Sequence, residues 1–198
     1  MSRQYHVAIA GAGIAGLTAA LAFVRKGWTA SVHERATVLE EIGAGIQLSP
    51  NATRLLDRLG VLERLRPVAV QPDAVVLRQA ATFDELARIP LGVNAEHRWG
   101  SPYLTIHRAD LQAALLAEAM GQSEIDLNFG RPVRDFALDP PRLEFAGGAT
   151  RGEAAADLVV AADGVWSTVR GLGGKKGESR FIGQMAWRRT ISREEAER

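Results

Sequence analysis

A long apolar stretch opens the chain: between Val7 and Phe23 the one polar side chain is Thr18. An apolar run with a short basic lead suits a secretory signal peptide. The same positions also divide into a strand-like run, Tyr5–Ala10, and a helix-like run, Leu17–Lys26, which Gly27 ends. The hydrophobic pattern alone leaves both interpretations open.

Glycines separate these two runs in the spacing G-x-G-x-x-G, at Gly11, Gly13 and Gly16. In a strand, turn and helix unit, such glycines make a tight turn, let the backbone approach a pyrophosphate, and let the helix pack on the sheet. The anion then sits at the helix N-terminus. A second strand, Trp28–His33, ends at Glu34, about 20 residues beyond the glycines, where an acid reaches ribose hydroxyls. This order favours a dinucleotide site over a signal peptide or a purely structural glycine turn.

The rest of the pattern predicts two more helices and seven more strands. One helix starts with Ser49 as N-cap and ends at Gly60, after the loop Gly43–Ala52, and the other spans Ala109–Met120. The further predicted strands are Ala74–Arg78, Leu86–Ile89, Tyr103–Ile106, Ile125–Phe129, Arg134–Leu138, Arg142–Phe145 and Leu158–Ala162.

The last of these strands is a continuous apolar run, as expected of a buried parallel strand, and it ends at Asp163 and Gly164. Ligands of open α/β sheets bind at the carboxyl ends of the strands. Asp163 is therefore expected at the same sheet edge as Gly11 and Glu34. The alternative is that Asp163 and Gly164 form an ordinary turn, with Ser167 capping the helix that follows.

Composition narrows the function classes. The chain has 198 residues, a net charge of +1 and 46% hydrophobic residues, which suits one ordinary domain and favours neither nucleic acid nor a membrane as partner. It has no cysteine, so disulfides, thiolate nucleophiles and zinc-thiolate sites are excluded. The four histidines lack metal-ligand spacing, so we interpret them as structural residues of strands or loops and expect no metal. A cytoplasmic enzyme is the expectation that remains.

Four sequence motifs resemble those of a known enzyme family. They are GAGIAG with Glu34, GAGIQLSPNA, HRADLQ and ADGVWSTVR. In this order they resemble the single-component FAD-dependent aromatic hydroxylases, which include salicylate and hydroxybenzoate hydroxylases, over nearly the whole chain. The resemblance implies an α/β, Rossmann-like FAD-binding fold with a parallel sheet and a small antiparallel β layer. It also implies hydroxylation of a small aromatic substrate by FAD, with NADH or NADPH as transient electron donor and O₂ as oxidant.

The resemblance implies a set of cofactor-binding positions. They are Gly11, Gly13, Ala15, Gly16, Glu34, Arg35, Gly45, Ile46, Arg108, Val133, Asp163 and Gly164. Among them, Glu34 would bind the adenosine ribose, and the backbone of Val133 would meet the adenine. Gly45 and Ile46 would approach the flavin, and Arg108 would face the phosphate or the ribityl chain. The acid at position 34 favours a free ribose hydroxyl over a 2′-phosphate.

The resemblance also predicts a domain division. Residues 1–178 would form the FAD-binding domain, with 72–106 contributing strands to a substrate layer, and residues 179–198 would start an incomplete substrate domain. The segment Arg180–Ile191 resembles the first strand of that domain. In members of that family, the groups that activate the substrate come from a later part of the polypeptide chain. No catalytic residue is therefore assigned. An NAD-dependent oxidoreductase and a non-catalytic nucleotide-binding fragment of a flavoenzyme remain as alternatives.

Overall fold

The structure is a computed structural model that describes residues 3–39, 45–146, 152–173, 180–185 and 193–196. It divides into two compact units. The first unit comprises Met1–Glu40 and Leu115–Ala186, and the second comprises Glu41–Ala114 and Trp187–Arg198. The predicted division at residue 178 stays a prediction.

The described strands and helices alternate early in the chain and are mostly strands later. The strands are β1 His6–Ala10, β2 Thr29–His33, β3 Gly45–Leu48, β4 Ala74–Arg78, β5 Glu85–Pro90, β6 Leu104–His107, β7 Ile125–Asn128, β8 Val133–Leu138, β9 Pro141–Phe145, β10 Glu153–Ala155 and β11 Leu158–Ala161. The helices are α1 Ile14–Val24, α2 Pro50–Arg58, α3 Leu62–Leu65, α4 Val93–Trp99, α5 Arg108–Met120, α6 Thr168–Leu172 and α7 Arg193–Ala196.

A four-stranded parallel sheet in the order β11-β1-β2-β7 forms the centre of the first unit. Ile9 of β1 is fully buried and pairs in register with Val32 on one side and Val160 on the other. Strands that are buried on both faces read as continuous apolar runs, which is why the sequence shows no alternation here. The predicted parallel sheet is confirmed.

The apolar stretch Val7–Phe23 forms the inner strand β1 and helix α1, and Val7 and Leu17 are both fully buried. This folding replaces the signal-peptide interpretation of the stretch. Helix α1 begins at Ile14, earlier than predicted, because Gly13 takes the extended N-cap conformation and Gly16 is accommodated inside the helix. Within the described residues, no helix combines the length and apolar character needed to cross a bilayer.

The predicted antiparallel β layer is a three-stranded sheet in the order β10-β9-β8. Because side chains alternate along a strand, Ala8 and Ala10 of β1 face this layer while their neighbours face the other side. They form a buried core with Leu143, Phe145 and Val169. This core fixes the position of β9 and α6 relative to the carboxyl end of β1.

The second unit contains two antiparallel strand pairs, β3 with β6 and β4 with β5. The buried hydroxyl of Thr53 in α2 donates to the carbonyl of Pro102 at 2.7 Å, which ties the helix to the chain before β6. The sequence pattern predicted a loop over Gly43–Ala52, and this was wrong for Gly45–Leu48, because that strand depends on its distant partner β6. The short helices α3 and α4 were not predicted.

Two predicted segments reach outside the described residues. Of the predicted strand Arg180–Ile191, residues 180–185 form neither helix nor strand, and the remainder lies outside the described part. Gly43 of the predicted loop is outside it as well. The contribution of residues 72–106 to a substrate layer stays a prediction.

Candidate functional site

The loop after β1 packs so closely that side chains are excluded from it. Gly11 has a φ of +99°, and a Cβ there would lie 2.5 Å from the carbonyl oxygen of Ala162. A Cβ on Gly16 would lie 1.8 Å from the carbonyl oxygen of Gly11. A Cβ on Gly13 would meet nothing within 4 Å, so this glycine faces open space. Close contacts therefore fix the loop at Gly11 and Gly16 and leave Gly13 accessible.

The N-terminus of α1 follows directly on this loop. Gly13 is its N-cap and accepts the N–H of Leu17 at 3.0 Å, which closes the first turn. The first N–H groups of an α-helix have no acceptor within the helix and carry a partial positive charge. Ala15 and Gly16 lie in this first turn, which contains no acidic side chain. The end of the helix is therefore suited to an anion such as a pyrophosphate.

Glu34, which follows β2, holds this loop through its carboxylate. Oε2 accepts the N–H of Ala12 at 2.8 Å, and Oε1 accepts the N–H of Ala36 at 3.0 Å. A carboxylate oxygen has a second lone-pair site, so each can still accept a ribose hydroxyl. Glu34 therefore has a structural role that was not predicted, and its oxygens keep acceptor sites for the predicted hydrogen bonds to a ribose.

Asp163, which follows β11, fixes the start of α6. Its Oδ1 accepts the hydroxyl of Ser167 at 2.6 Å, and its Oδ2 accepts the N–H of Val169 at 3.1 Å. The Ser167 hydroxyl accepts the N–H of Arg170 at 3.0 Å, as an N-cap does. Gly164 has a φ of +82°, which a turn directly after the strand requires. Asp163 is thus part of a hydrogen-bonded turn that closes one wall of the site.

A pocket opens at the carboxyl ends of β1, β2 and β11, the position at which open α/β sheets bind ligands. It is lined by Ala10, Gly11, Gly13, His33, Glu34, Arg35, Arg131, Pro132, Val133, Ala162, Asp163, Gly164, Trp166 and Thr168. Seven residues from the sequence analysis meet here: Gly11, Gly13, Glu34, Arg35, Val133, Asp163 and Gly164. All the lining residues belong to the first unit.

Three other predicted site residues belong to the second unit. Gly45 and Ile46 lie on β3, where they pair with His107 and Ile106 of β6. Arg108 is the first residue of α5, directly after His107. The structure therefore brings Gly45 and Arg108 to the same end of one strand pair. Their predicted contacts with the flavin and its chain stay predictions.

Arg131 and Trp166 line the pocket without having been predicted. The backbone N–H of Arg131 donates to the carbonyl of Glu34 at 2.8 Å, and its guanidinium carbon lies 5.5 Å from the centre of the Phe145 ring. Trp166 is 73% exposed. Trp166 lies in the motif ADGVWSTVR and could have been considered there, but nothing in the sequence marks Arg131.

His33, the last residue of β2, also lines the pocket and was interpreted from sequence as structural. It is 4% exposed, and its ring centre lies 4.5 Å from that of Phe145. Among the described residues neither ring nitrogen has a hydrogen-bond partner. Burial, together with the nearby Arg131 guanidinium, lowers the pKa of His33 to about 4. The imidazole is therefore neutral at pH 7.

Together these features fit a dinucleotide. The open face of Gly13 and the helix N-terminus suit a pyrophosphate, and Glu34 has free acceptor sites for a ribose. The guanidinium groups of Arg35 and Arg131 add positive charge to the same pocket. Within the described part of the chain, no group of three or more histidine, aspartate or glutamate side chains could hold a metal ion.

Comparison with curated proteins finds relatives that are named as hydroxylases or monooxygenases. A 3-hydroxybenzoate 6-hydroxylase from Aquipseudomonas alcaligenes is 37% identical over 193 residues, which are 96% of this chain and 48% of the relative. A 6-hydroxynicotinate 3-monooxygenase from Pseudomonas fluorescens is 37% identical over 171 residues, covering 86% of this chain and 43% of the relative. The chain thus spans about half or less of the length of these relatives.

Solved structures share the fold. The tetrameric form of 2-methyl-3-hydroxypyridine-5-carboxylic acid oxygenase superposes with a TM-score of 0.74 at 29% identity, covering 87% of this chain and 43% of that one. A variant of HpxO from Klebsiella pneumoniae in complex with FAD superposes with a TM-score of 0.70 at 27% identity, covering 84% and 42%. Residues 4–191 match the family described as the FAD binding domain. This chain therefore belongs to the FAD binding domain family.

Proposed function

We propose that the first unit binds FAD in the pocket at the carboxyl ends of β1, β2 and β11. The observation that carries the proposal is the junction of Gly11, Gly13 and Glu34, where an accessible helix N-terminus lies beside a carboxylate with spare acceptor sites. Membership of the FAD binding domain family selects FAD among the dinucleotides that such a junction could hold.

In this proposal the residues of the chain bind and orient the cofactor. The N–H groups at the start of α1 hold the pyrophosphate, and Glu34 accepts hydrogen bonds from the adenosine ribose. Contacts of Gly45, Ile46 and Arg108 with the flavin half remain predictions from the sequence. The turn at Asp163 keeps the wall next to the pyrophosphate in place. When bound, FAD supplies the transfer of reducing equivalents from NADH or NADPH and the activation of O₂.

We further propose that the protein is an FAD-dependent monooxygenase that hydroxylates a small aromatic acid. The relatives support this, because 3-hydroxybenzoate and 6-hydroxynicotinate in their names are both hydroxylated aromatic carboxylates. The proposal concerns the whole activity, of which the described residues contribute the cofactor site. A cytoplasmic location remains a prediction from the sequence.

The first experiment is separate titration of the chain with FAD and with NADH, followed by flavin fluorescence and by calorimetry. We expect FAD to bind and the variant Glu34→Ala to bind it about 5- to 150-fold more weakly, the equivalent of roughly 1–3 kcal/mol for lost hydrogen bonds. Glu63→Ala is the matched control, because Glu63 is exposed on α3 in the second unit and pairs only with Arg66 among the described residues.

Each outcome separates the candidate functions. Binding of FAD with the expected effect at Glu34 supports the flavoprotein. Binding of NADH without FAD would support an NAD-dependent oxidoreductase, and binding of neither would refute a nucleotide site in this chain. NADH consumption, O₂ uptake and product analysis with 3-hydroxybenzoate and 6-hydroxynicotinate then test the hydroxylase. FAD binding without turnover would leave a non-catalytic nucleotide-binding chain as the better description.

A further inference from the structure

His33 lines the proposed FAD pocket, and within the described part of the chain its ring forms no hydrogen bond. It is 4% exposed, yet neither ring nitrogen has a partner among the described residues. Buried polar side chains in native proteins nearly always have a partner, so an exception calls for an explanation. His33 differs in this from His6 on the same face of the sheet, whose ring nitrogens lie 2.8 and 3.0 Å from the hydroxyls of Thr29 and Ser31.

The surroundings of His33 restrict what can satisfy it. On one side its ring packs against Phe145 of β9, with the ring centres 4.5 Å apart. The nearby ionisable groups are Arg131, Asp126 and His6, and the net effect of burial and these groups keeps the ring neutral. The pocket lies on another side, where His33 is next to Glu34 in the chain and in the lining. The missing partner is therefore expected from a molecule in the pocket.

We propose that His33 is a cofactor-binding residue of the FAD site, whose ring forms a hydrogen bond with a ribose hydroxyl of the adenosine half. A hydroxyl is both donor and acceptor, so it can pair with either tautomer of the ring. It can at the same time donate to Glu34, which still has acceptor sites. A flip of the imidazole about its Cβ–Cγ bond exchanges nitrogen and carbon positions, so either edge of the ring can present a nitrogen to the pocket. This inference rests on the proposed FAD site.

The first test is FAD affinity in three variants. His33→Phe keeps an apolar ring against Phe145 but removes both nitrogens, and we expect its Kd for FAD to rise about 5- to 30-fold. His33→Gln supplies an amide with a donor and an acceptor and is expected to regain part of this loss. His97→Phe is the matched control, because His97 is exposed on α4 in the second unit, and its Kd should match the wild type.

The second test observes the ring directly. The chain has four histidines, so a ¹⁵N-histidine NMR spectrum is simple, and the signal missing in His33→Phe identifies His33. We expect both FAD and ADP, which carries the same adenosine half, to shift this ring nitrogen signal. A purely structural role for His33 would leave the signal unmoved when either probe binds, even if His33→Phe were less stable.

The outcomes distinguish this inference from the proposed function. If the wild type binds FAD but the His33 signal does not move, or if His33→Phe binds FAD as tightly as the wild type, the inference is overturned and the FAD site stands. A shift with FAD and none with bound ADP would overturn the assignment to the adenosine half. If the wild type binds neither FAD nor ADP, both the FAD site and the role of His33 fall.

Discussion

The carboxylate of Glu34 accepts the backbone N–H of Ala12 at 2.8 Å, which joins the end of β2 to the loop after β1. The same side chain accepts the N–H of Ala36 at 3.0 Å. One residue thus stabilises the glycine loop and, in the proposed function, binds the ribose next to it. The cofactor site and the local fold consequently depend on the same carboxylate.

Removal of this carboxylate is expected to lower stability even without cofactor. Glu34→Ala removes the carboxylate that accepts the N–H groups of Ala12 and Ala36, and we expect the free energy of unfolding to fall by about 2 kcal/mol. Glu34→Gln keeps one amide oxygen as acceptor and should lose about half as much. Urea denaturation at pH 7 without FAD measures both. Equal stability of Glu34→Ala and the wild type would show that the two hydrogen bonds are dispensable.

The glycine loop allows a matched pair of substitutions. Gly16→Ala places a Cβ 1.8 Å from the Gly11 carbonyl oxygen, so the helix must move, and we expect a loss of about 3 kcal/mol in unfolding free energy or no folded protein. Gly13→Ala meets open space, with an extended backbone that alanine tolerates, and should change stability by no more than about 1 kcal/mol.

The same pair separates folding from binding. In the proposed site the methyl group of Gly13→Ala occupies the space through which the pyrophosphate approaches, and we expect FAD affinity to fall at least about tenfold, or 1.4 kcal/mol. Thermal denaturation and FAD titration of both variants provide the comparison. Unchanged FAD affinity in a folded Gly13→Ala protein would place the pyrophosphate elsewhere.

His33 is expected to make stability depend on acidity. Its pKa is about 4 in the folded chain and near the ordinary 6.5 when unfolded, so between these values the unfolded state binds more protons. This contribution to stability is complete above pH 6.5 and is lost as the pH falls towards 4, by up to about 3 kcal/mol. Denaturation curves from pH 7.5 to 4 measure the decline.

Two variants isolate this effect of His33. His33→Phe cannot be protonated, so its stability should decline less between pH 6.5 and 4 than that of the wild type. His97→Gln alters an exposed histidine of the second unit and should leave the wild-type decline in place. Identical pH profiles for His33→Phe and the wild type would mean that other groups cause the acid sensitivity.

The turn at Asp163 is expected to stabilise the wall of the pocket. Ser167→Ala removes the N-cap of α6 and the hydroxyl that donates to Asp163, and we expect a loss of about 1 kcal/mol. Thr168→Ala is the control, since it changes the adjacent residue and leaves these hydrogen bonds. Chemical denaturation of the two variants is compared directly, and a larger loss in Thr168→Ala would argue against the cap.

Local patterns predicted much of the fold because they depend on neighbouring residues. The apolar runs identified β1, β2 and β11, and the glycine spacing located the turn between β1 and α1. The strand Gly45–Leu48 was missed because it has only four residues, begins with a glycine and includes the polar Gln47, while its stability comes from pairing with β6. Short helices such as α3 have too few turns to show a helical period in their hydrophobic residues.

The sequence by itself determined the order of strand, glycine turn, helix, strand and acid. Each of these features depends on the types of residues that follow one another in the chain. The sequence thereby predicted Gly11, Gly13 and Glu34 as one site. Only the tertiary structure decided which other side chains meet them. Arg131 reaches the pocket because its backbone N–H donates to the carbonyl of Glu34, and His33 reaches it because β2 ends beside β1, so these contacts join residues far apart in the chain. No local pattern encodes such contacts, because packing between layers selects them.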